Sequence, residues 1–583
     1  MGKIIAIDLG TTTSEVAYMK DGKPVIIKND KYGNGTTIPS VVTIKEDEIV
    51  VGKKAKRQLL VRPEATIAEV KRFMGEEKIF SINGKEYIPE QISAMILKTI
   101  KEIAEEEIGE VSEAVITVPA NFNDVQRNAT KNAAKIAGLK VERIINEPTA
   151  AALGYGLDNI EKDVNILVYD LGGGTFDCTV LEMFTGIMDV KASRGDNFLG
   201  GKDFDKKIED YIVDYIEKTK SINVENLNVR KLSEIKDAAE RAKKDLSIEM
   251  STEIILNNFA IDNEGNSIDI EIDFSREEFN RISKDLIDRS EKIIDNTLMA
   301  ASFSCDDIDV VLPVGGSSRM AAVKDLLERK FGADKIQKGI DPDEAVALGA
   351  AVQAGIKSDE INSATGLIVT DACSYTLGIA VIGEKFSPII FRDTKLPCKA
   401  SDVYFTTYDG QTSVEVRVYQ GDSEDINENI LVGNFELSGI PMAPVGKEKL
   451  EVTFKYDLNG MLEVSAEILS TGKKETRVMS TTGLSKNQIL SLAKDTFIEA
   501  EYDEENSNEE ILNQEDNDWK KLPLYESVNV AVSLAEMKLG TLNESAKRTV
   551  ENLLMEMKDA ILKNDKALVE KLDEKLTDLL FDL

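Results

Sequence analysis

The chain has 583 residues, 42% apolar and 30% charged, the composition of a folded protein too long for a single core. Its formal net charge of −34 argues against nucleic acid or an anionic membrane as partner, because both repel such a surface. It contains no histidine, which excludes Ser-His-Asp and Cys-His chemistry, histidine metal sites and imidazole acid–base catalysis. Any reaction must rest on carboxylates, lysines, hydroxyls and a metal ion.

In chain order, the apolar run KIIAI leads into Asp8-Leu9-Gly10-Thr11-Thr12 and then into the alternating run SEVAYM. The same unit recurs: NILVY, then Asp170-Leu171-Gly172-Gly173-Gly174-Thr175, then FDCTVLEMF. Each reads as a β-hairpin with a glycine turn. Glycine allows close backbone approach to a ligand, and successive turn amides form an anion-binding concavity. The aspartate before each turn is placed to hold a metal-bound water beside a phosphate. Two such turns facing each other predict a polyphosphate clamp; the alternative is two ordinary hairpins.

Between and beyond these units, strand-like and helix-like segments alternate to about residue 357, an α/β signature. Apolar positions Ile88, Ile92, Met95, Ile96, Ile100 and Ile103 predict a helix before the strand AVITVP. Another helix is expected to open at Asn146-Glu147-Pro148, with proline in the first turn. Pro313 in VVLPVGG removes a ladder donor, which predicts an edge strand or a bulge. Residues 358–373 read as a connector, polar except for Leu367-Ile368-Val369, which is unusual because linkers are normally solvated. From 374 to 483 short alternating runs separated by DG, NG and TGK turns predict an all-β unit. Residues 484–583 read as helical, ending in two amphipathic helices broken at Lys563-Asn564-Asp565. The acidic stretch from Glu499 to Asp518 reads as a solvated face or loop. No run reaches the roughly 18 apolar residues of a membrane span. Four cysteines (Cys178, Cys305, Cys373, Cys398) lack metal-type spacing, and a reducing, cytoplasmic setting is expected.

IDLGTT, VITVPANFND, RIINEPTAAAL, YDLGGGTFD, GGKDFD, VGGSSRM and DPDEAVALGAAVQ occur in the order found in DnaK-type heat-shock protein 70 chaperones. The chain resembles that family over essentially its whole length. GDNFLGG, DACSYTLG, FSPII and NENILV resemble the specialised HscC-like branch. The resemblance implies an actin-like, two-lobed ATPase (1–357), an interdomain linker (358–373), a β-sandwich that binds peptide (374–483) and a helical lid (484–583). It implies ATP/ADP and Mg²⁺ as ligands, with K⁺ as a further cation. Asp8 and Asp170 would position Mg²⁺ through its waters, since that ion dehydrates reluctantly.

Thr11, Thr12 and the amides of Gly172, Gly173, Gly174 and Thr175, with Gly10, Gly200 and Gly201, match phosphate contacts. Lys71 matches the lysine that orients the attacking water; on its own it reads as a surface lysine. Glu147 and Asp177 match carboxylates of the ion and water network. Gly315, Gly316, Ser317 and Arg319 match the adenosine side, and Asp343 matches a further nucleotide-binding position. Glu240, Lys243, Lys244 and Ser247 match its opposite wall, although their helical spacing alone favours an exposed charged helix. Asn197 stands where the family has a threonine near the γ-phosphate, so altered hydrolysis is expected. The peptide pocket would use Ile379, Ile382, Tyr404, Thr407, Val414, Val416 and Met461, which alternation explains equally well as sandwich core. Tyr408 beside Thr407 suggests a different rim.

Pro119 and Arg127 match an interlobe relay. Arg143, Asn146 and Asp371 match positions that receive a J-domain co-chaperone. Leu367, Ile368 and Val369 match the coupling linker, with Thr370 in place of a fourth apolar residue. The implied function is an ATP-dependent chaperone for extended apolar segments, with a nucleotide exchange factor as a possible further partner and neither nucleic acid nor membrane bound. A slow or non-cycling ATP-binding holdase, or an exchange-factor-like relative, is the alternative. A sugar kinase or a filament-forming relative would share the clamp but lack the C-terminal units.

Overall fold

The computed structural model describes residues 3–33, 35–45, 48–184, 186–220, 222–224, 227–261, 267–339, 341–358, 360–361, 368–457, 460–479 and 486–497. Toward the C-terminus it describes 523–525, 528, 531–532, 535, 539, 544–563 and 565–582. Leu367, the rest of the polar connector except 358 and 360–361, and the acidic stretch 499–518 lie outside the described residues.

Two sheets repeat one design. In the first, Lys3–Leu9 pairs antiparallel with Thr13–Lys20 and parallel with Val111–Val118, which in turn pairs parallel with Lys140–Asn146. In the second, Val164–Leu171 pairs antiparallel with Phe176–Phe184 and parallel with Val310–Val314. Both Asp-Gly-Thr turns therefore close antiparallel hairpins. Their parallel neighbours require helical crossovers, and these supply helices such as Pro89–Ile108, Asp124–Ile136 and Glu147–Leu157. Proline opens the first and third of these, where its missing amide costs nothing.

Val310–Val314 lies at the edge of its sheet, with Pro313 opposite Tyr169. Its outer side meets an isolated bridge from Val311 to Ile336 and leaves Pro313 without a ladder demand, as its chemistry requires. Between the sheets, Ala150, Leu153, Ala347 and Ala350 are fully buried, and small side chains let Glu147–Leu157 and Ala345–Lys357 pack closely.

The sheet of the second hairpin continues through Ile187–Asp196 to Ile368–Ala372, added parallel with Ile187 opposite Ile368 and Met188 opposite Val369. Thr370 lies opposite Asp189, and its hydroxyl donates to the Asp189 carboxylate at 2.9 Å. The chain then enters two four-stranded antiparallel sheets, packed on Leu377, Val418, Phe454 and Val464. Beyond them, the helix Lys486–Phe497 packs Ile489 into the core of the first sheet's helices, and Gln91 donates to Thr496 at 3.0 Å. The helices Glu544–Leu562 and Lys566–Asp582 pack on each other around Val550, Met557, Leu572 and Leu576. Among the described residues no helix is long and apolar enough to cross a membrane.

Candidate functional site

The two hairpin turns face each other across a cavity of about 690 Å³. Of the residues expected around a nucleotide, all line it except Gly174, Gly200, Asp177 and Asn197. Gly174 and Gly200 pack against each other behind the wall, where a Cβ on Gly200 would stand 2.5 Å from the Gly174 amide nitrogen. Gly315 has φ +77 and lies against Leu171, so this tight passage accepts only glycine without strain.

On the phosphate side Asp8 accepts from the Thr117 hydroxyl at 2.6 Å, and Lys71 donates to Glu147 at 2.5 Å with both side chains buried. Burial raises the Asp8 and Asp170 carboxyls, the latter strongly, because Glu147, Asp177 and Asp8 surround it. Burial also raises Glu147, against the pull of Lys71. Asp177 accepts from the Ala120 amide at 3.0 Å and is pushed by burial up to about 6. Asn197 donates weakly to the Asn121 carbonyl at 3.4 Å, and its Oδ1 is buried without a partner. One feature escaped motif reading. Glu15, in SEVAYM, is buried on the cavity wall, and burial with Asp8 nearby pushes it up to about 10.

On the other side the helix Val229–Leu246, with Ser247 at its end, turns its charged face into the cavity. It is therefore not an exposed helix face. Lys243 donates to Gly201 O at 2.9 Å and pairs with Asp205 at 2.7 Å. Glu240 meets Lys56 at 2.9 Å and Lys244 at 2.6 Å. Burial would raise Glu240, but the ammonium groups of Lys202, Lys56 and Lys244 outweigh it and hold the carboxyl well below its usual range. Lys56 carries no motif and its partner Glu240 is remote in sequence, whereas Lys202 and Asp205 fall within GGKDFD without their contacts being legible there. Arg319 is held by Asp341 and, at 3.0 Å, by Asp343.

The donor set suits Mg²⁺. It consists of oxygens, and Asp170 Oδ2 is buried and unpartnered on the cavity wall. Among the described residues no three acidic or thiol side chains converge to ligate a metal directly.

Arg127, Asn146 and Asp371 form one buried chain: Arg127 donates to Asn146 Oδ1 at 2.6 Å, and Asn146 donates to Asp371 at 2.7 Å. Arg127 also holds the carbonyls of Ala120 and Phe122, in the loop that follows Pro119. Arg143 instead donates to Gln353 at 2.6 Å. Contacts that the sequence did not reveal join this region to the sandwich. Arg194 binds Asp393 bidentately at 2.8 and 2.6 Å, Tyr375 donates to the Asn121 carbonyl at 2.8 Å, and Tyr456 donates to Asp124 at 2.6 Å.

In the sandwich, Ile379, Tyr404, Val414 and Val416 lie in neighbouring strands or across the facing sheet, with Ser387 and Tyr404 hydroxyls 3.0 Å apart. Ile382 is 72% exposed at the adjoining turn. Thr407 is exposed, its amide and hydroxyl held by Gln411 Oε1 at 2.8 and 3.2 Å. Met461 does not belong with them. It sits in the turn before Leu462, and its amide donates to Asp457 at 2.8 Å. That turn adjoins Tyr456, which lies opposite Cys398, whereas Tyr404 lies opposite Leu450 at the far end of the same strand, about 20 Å away at ~3.3 Å per residue. Buried Leu450 occupies the place expected of Met461. Alternation tells which face a residue takes but not which end of the sheet.

Paired hairpins thus enclose one cavity, and a strand continues their sheet into a β-sandwich. The family described as Hsp70 protein matches residues 4–81 and 78–582, and the chain belongs to the Hsp70 family. Members are in general ATPases that bind ATP or ADP with Mg²⁺ and act as chaperones for unfolded segments with J-domain co-chaperones.

Proposed function

We propose that this chain hydrolyses ATP in the cavity between the hairpins and uses that reaction to time the capture and release of extended apolar segments. The observation that carries the reading is the strand Ile368–Ala372, hydrogen-bonded into the sheet that bears Asp170 while its other edge pairs with Lys395–Leu396 at the sandwich. A nucleotide-dependent shift of that sheet acts on the sandwich through covalent and hydrogen-bonded continuity, a two-state element biased at both ends.

The phosphates lie on Gly10 to Thr12 and Gly172 to Thr175, and the adenosine lies between Arg319 and the Glu240–Ser247 helix. Asp8 and Asp170 would hold Mg²⁺ through its waters, and the ion would supply neutralisation of phosphate charge. Lys71, fixed by Glu147, orients the attacking water, and Asp177 holds the loop 119–122 by its amides. Phosphoryl transfer to water is then positioning and charge stabilisation, which needs no histidine. K⁺ is the proposed further cation. The helices after 484 act as the lid. The packing of Lys486–Phe497 beside Pro89–Ile108 supports reading the arrangement as a docked, lid-open state. Ile379, Ile382, Tyr404, Thr407, Val414 and Val416 form the peptide pocket, and main-chain hydrogen bonds with one central side-chain hole fit an extended ligand. Asp371, Asn146 and Arg143 are the positions proposed to receive a J-domain co-chaperone, Pro119 and Arg127 the proposed interlobe relay, and we assign the chain to the cytoplasm on its free thiols. The residues that differ from the general pattern, Asn197 and Tyr375 among them, favour the specialised HscC-like branch.

The test is peptide release. A fluorescent apolar peptide bound to the ADP-loaded chain should dissociate at least tenfold faster on ATP addition; ATP-independent release would contradict the coupling and favour the non-cycling holdase.

A further inference from the structure

The pairing that carries Asp8 sets a second carboxyl beside it. Asp8 and Glu15 are directly opposed in the antiparallel hairpin, so their side chains leave the same face with Cβ atoms about 5 Å apart. Glu15 is 2% exposed and lines the cavity, and its Oε2 has no hydrogen-bond partner. Asp170 Oδ2, on the facing hairpin, is likewise buried, on the cavity wall and without a partner. Lys71 is already engaged by Glu147, and Asp343 by Arg319. A buried carboxyl oxygen without a partner carries a desolvation cost that no hydrogen bond offsets here. Glu15 and Asp170 both line the cavity in which the nucleotide is read to bring its divalent cation.

We propose that Glu15 is a further carboxyl on the hydration shell of nucleotide-bound Mg²⁺, beside Asp8 and Asp170, and that it sets the site's affinity for the divalent cation rather than for the nucleotide. This inference rests on the reading of the cavity as a Mg²⁺-nucleotide site. Glu15 acts through the ion's water and does not touch the reacting atoms, so it is a positioning residue. Its role explains why an acid occupies a buried strand position whose neighbours Ser14 and Val16 are fully enclosed.

The test uses the full chain loaded with a fluorescent ADP analogue and follows analogue release while free Mg²⁺ is titrated. In Glu15→Gln the Mg²⁺ concentration that half-maximally slows release should rise about tenfold, the usual loss when an outer-shell partner of a metal site is removed. Release without Mg²⁺ should stay within about twofold of the parent. The carboxamide matches the carboxyl in shape, and apo thermal unfolding of Glu15→Gln and Glu15→Ala reports whether each folds. An unchanged Mg²⁺ midpoint in a folded Glu15→Gln overturns the inference. So does a change in release that is equal with and without Mg²⁺. If the parent chain itself releases the analogue independently of Mg²⁺, the reading of the cavity fails instead.

Discussion

Lys71 and Glu147, paired at 2.5 Å among buried acids, concentrate the chemistry of the site. Lys71→Ala should lower single-turnover ATP hydrolysis roughly 100-fold or more, the scale of losing one preorganised charge, while nucleotide binding persists. Normal hydrolysis by that variant would remove the mechanism. Asn197 lacks a hydroxyl where a threonine is usual, so Asn197→Thr should change the single-turnover rate; an identical rate would show the position to be insensitive. Asp177 carries a pH signature. Its folded-state value of about 6 lies above its ordinary 3.8. The folded apo protein therefore holds this proton more tightly, and the associated stability is present below about pH 4 and lost as pH rises toward 6. The shift corresponds to on the order of 3 kcal/mol. Apo Asp177→Asn should lack that part of the decline between pH 4 and 6.5 in thermal unfolding, and an unaltered pH profile would contradict the assignment.

At the scale of elements, the hairpins were legible because Asp-Gly-Thr turns between alternating runs are local signals. Pro313 was legible for a similar reason, since its missing amide demands an edge wherever the strand lies. Ion pairs such as Lys56–Glu240 and Lys243–Asp205 were not, because they join segments distant in sequence without a shared pattern. Met461 failed for a different reason: a period of two gives the face of a sheet and leaves its ends undetermined. The contacts at Arg194, Tyr375 and Tyr456 depend on how the sandwich meets the ATPase, which no local pattern encodes. Arg194 bonds Asp393 through two parallel hydrogen bonds, with both side chains about one quarter exposed. Arg194→Ala should weaken docking of the sandwich by about 1 kcal/mol, roughly fivefold in the docked-to-undocked ratio. A smaller ATP-induced change in energy transfer between dyes on the ATPase and the sandwich would show it. An unchanged signal would mean that this pair does not hold the interface.

Over the whole molecule, the phosphate clamp, the added strand and the sandwich form one continuous hydrogen-bonded path. Thr370 fits that path because its hydroxyl finds Asp189 at the strand's edge, where an apolar side chain would only pack. Continuity of this kind predicts that occupancy at either end is felt at the other, since coupling free energy between sites is reciprocal. The most direct measurement is single-turnover ATP hydrolysis with and without a saturating extended apolar peptide, in the parent chain and with Leu367 and Ile368 both replaced by Asp. The account predicts several-fold stimulation by peptide in the parent and none in the variant, with the unstimulated rates similar. Equal stimulation in both, or none in the parent, would contradict it.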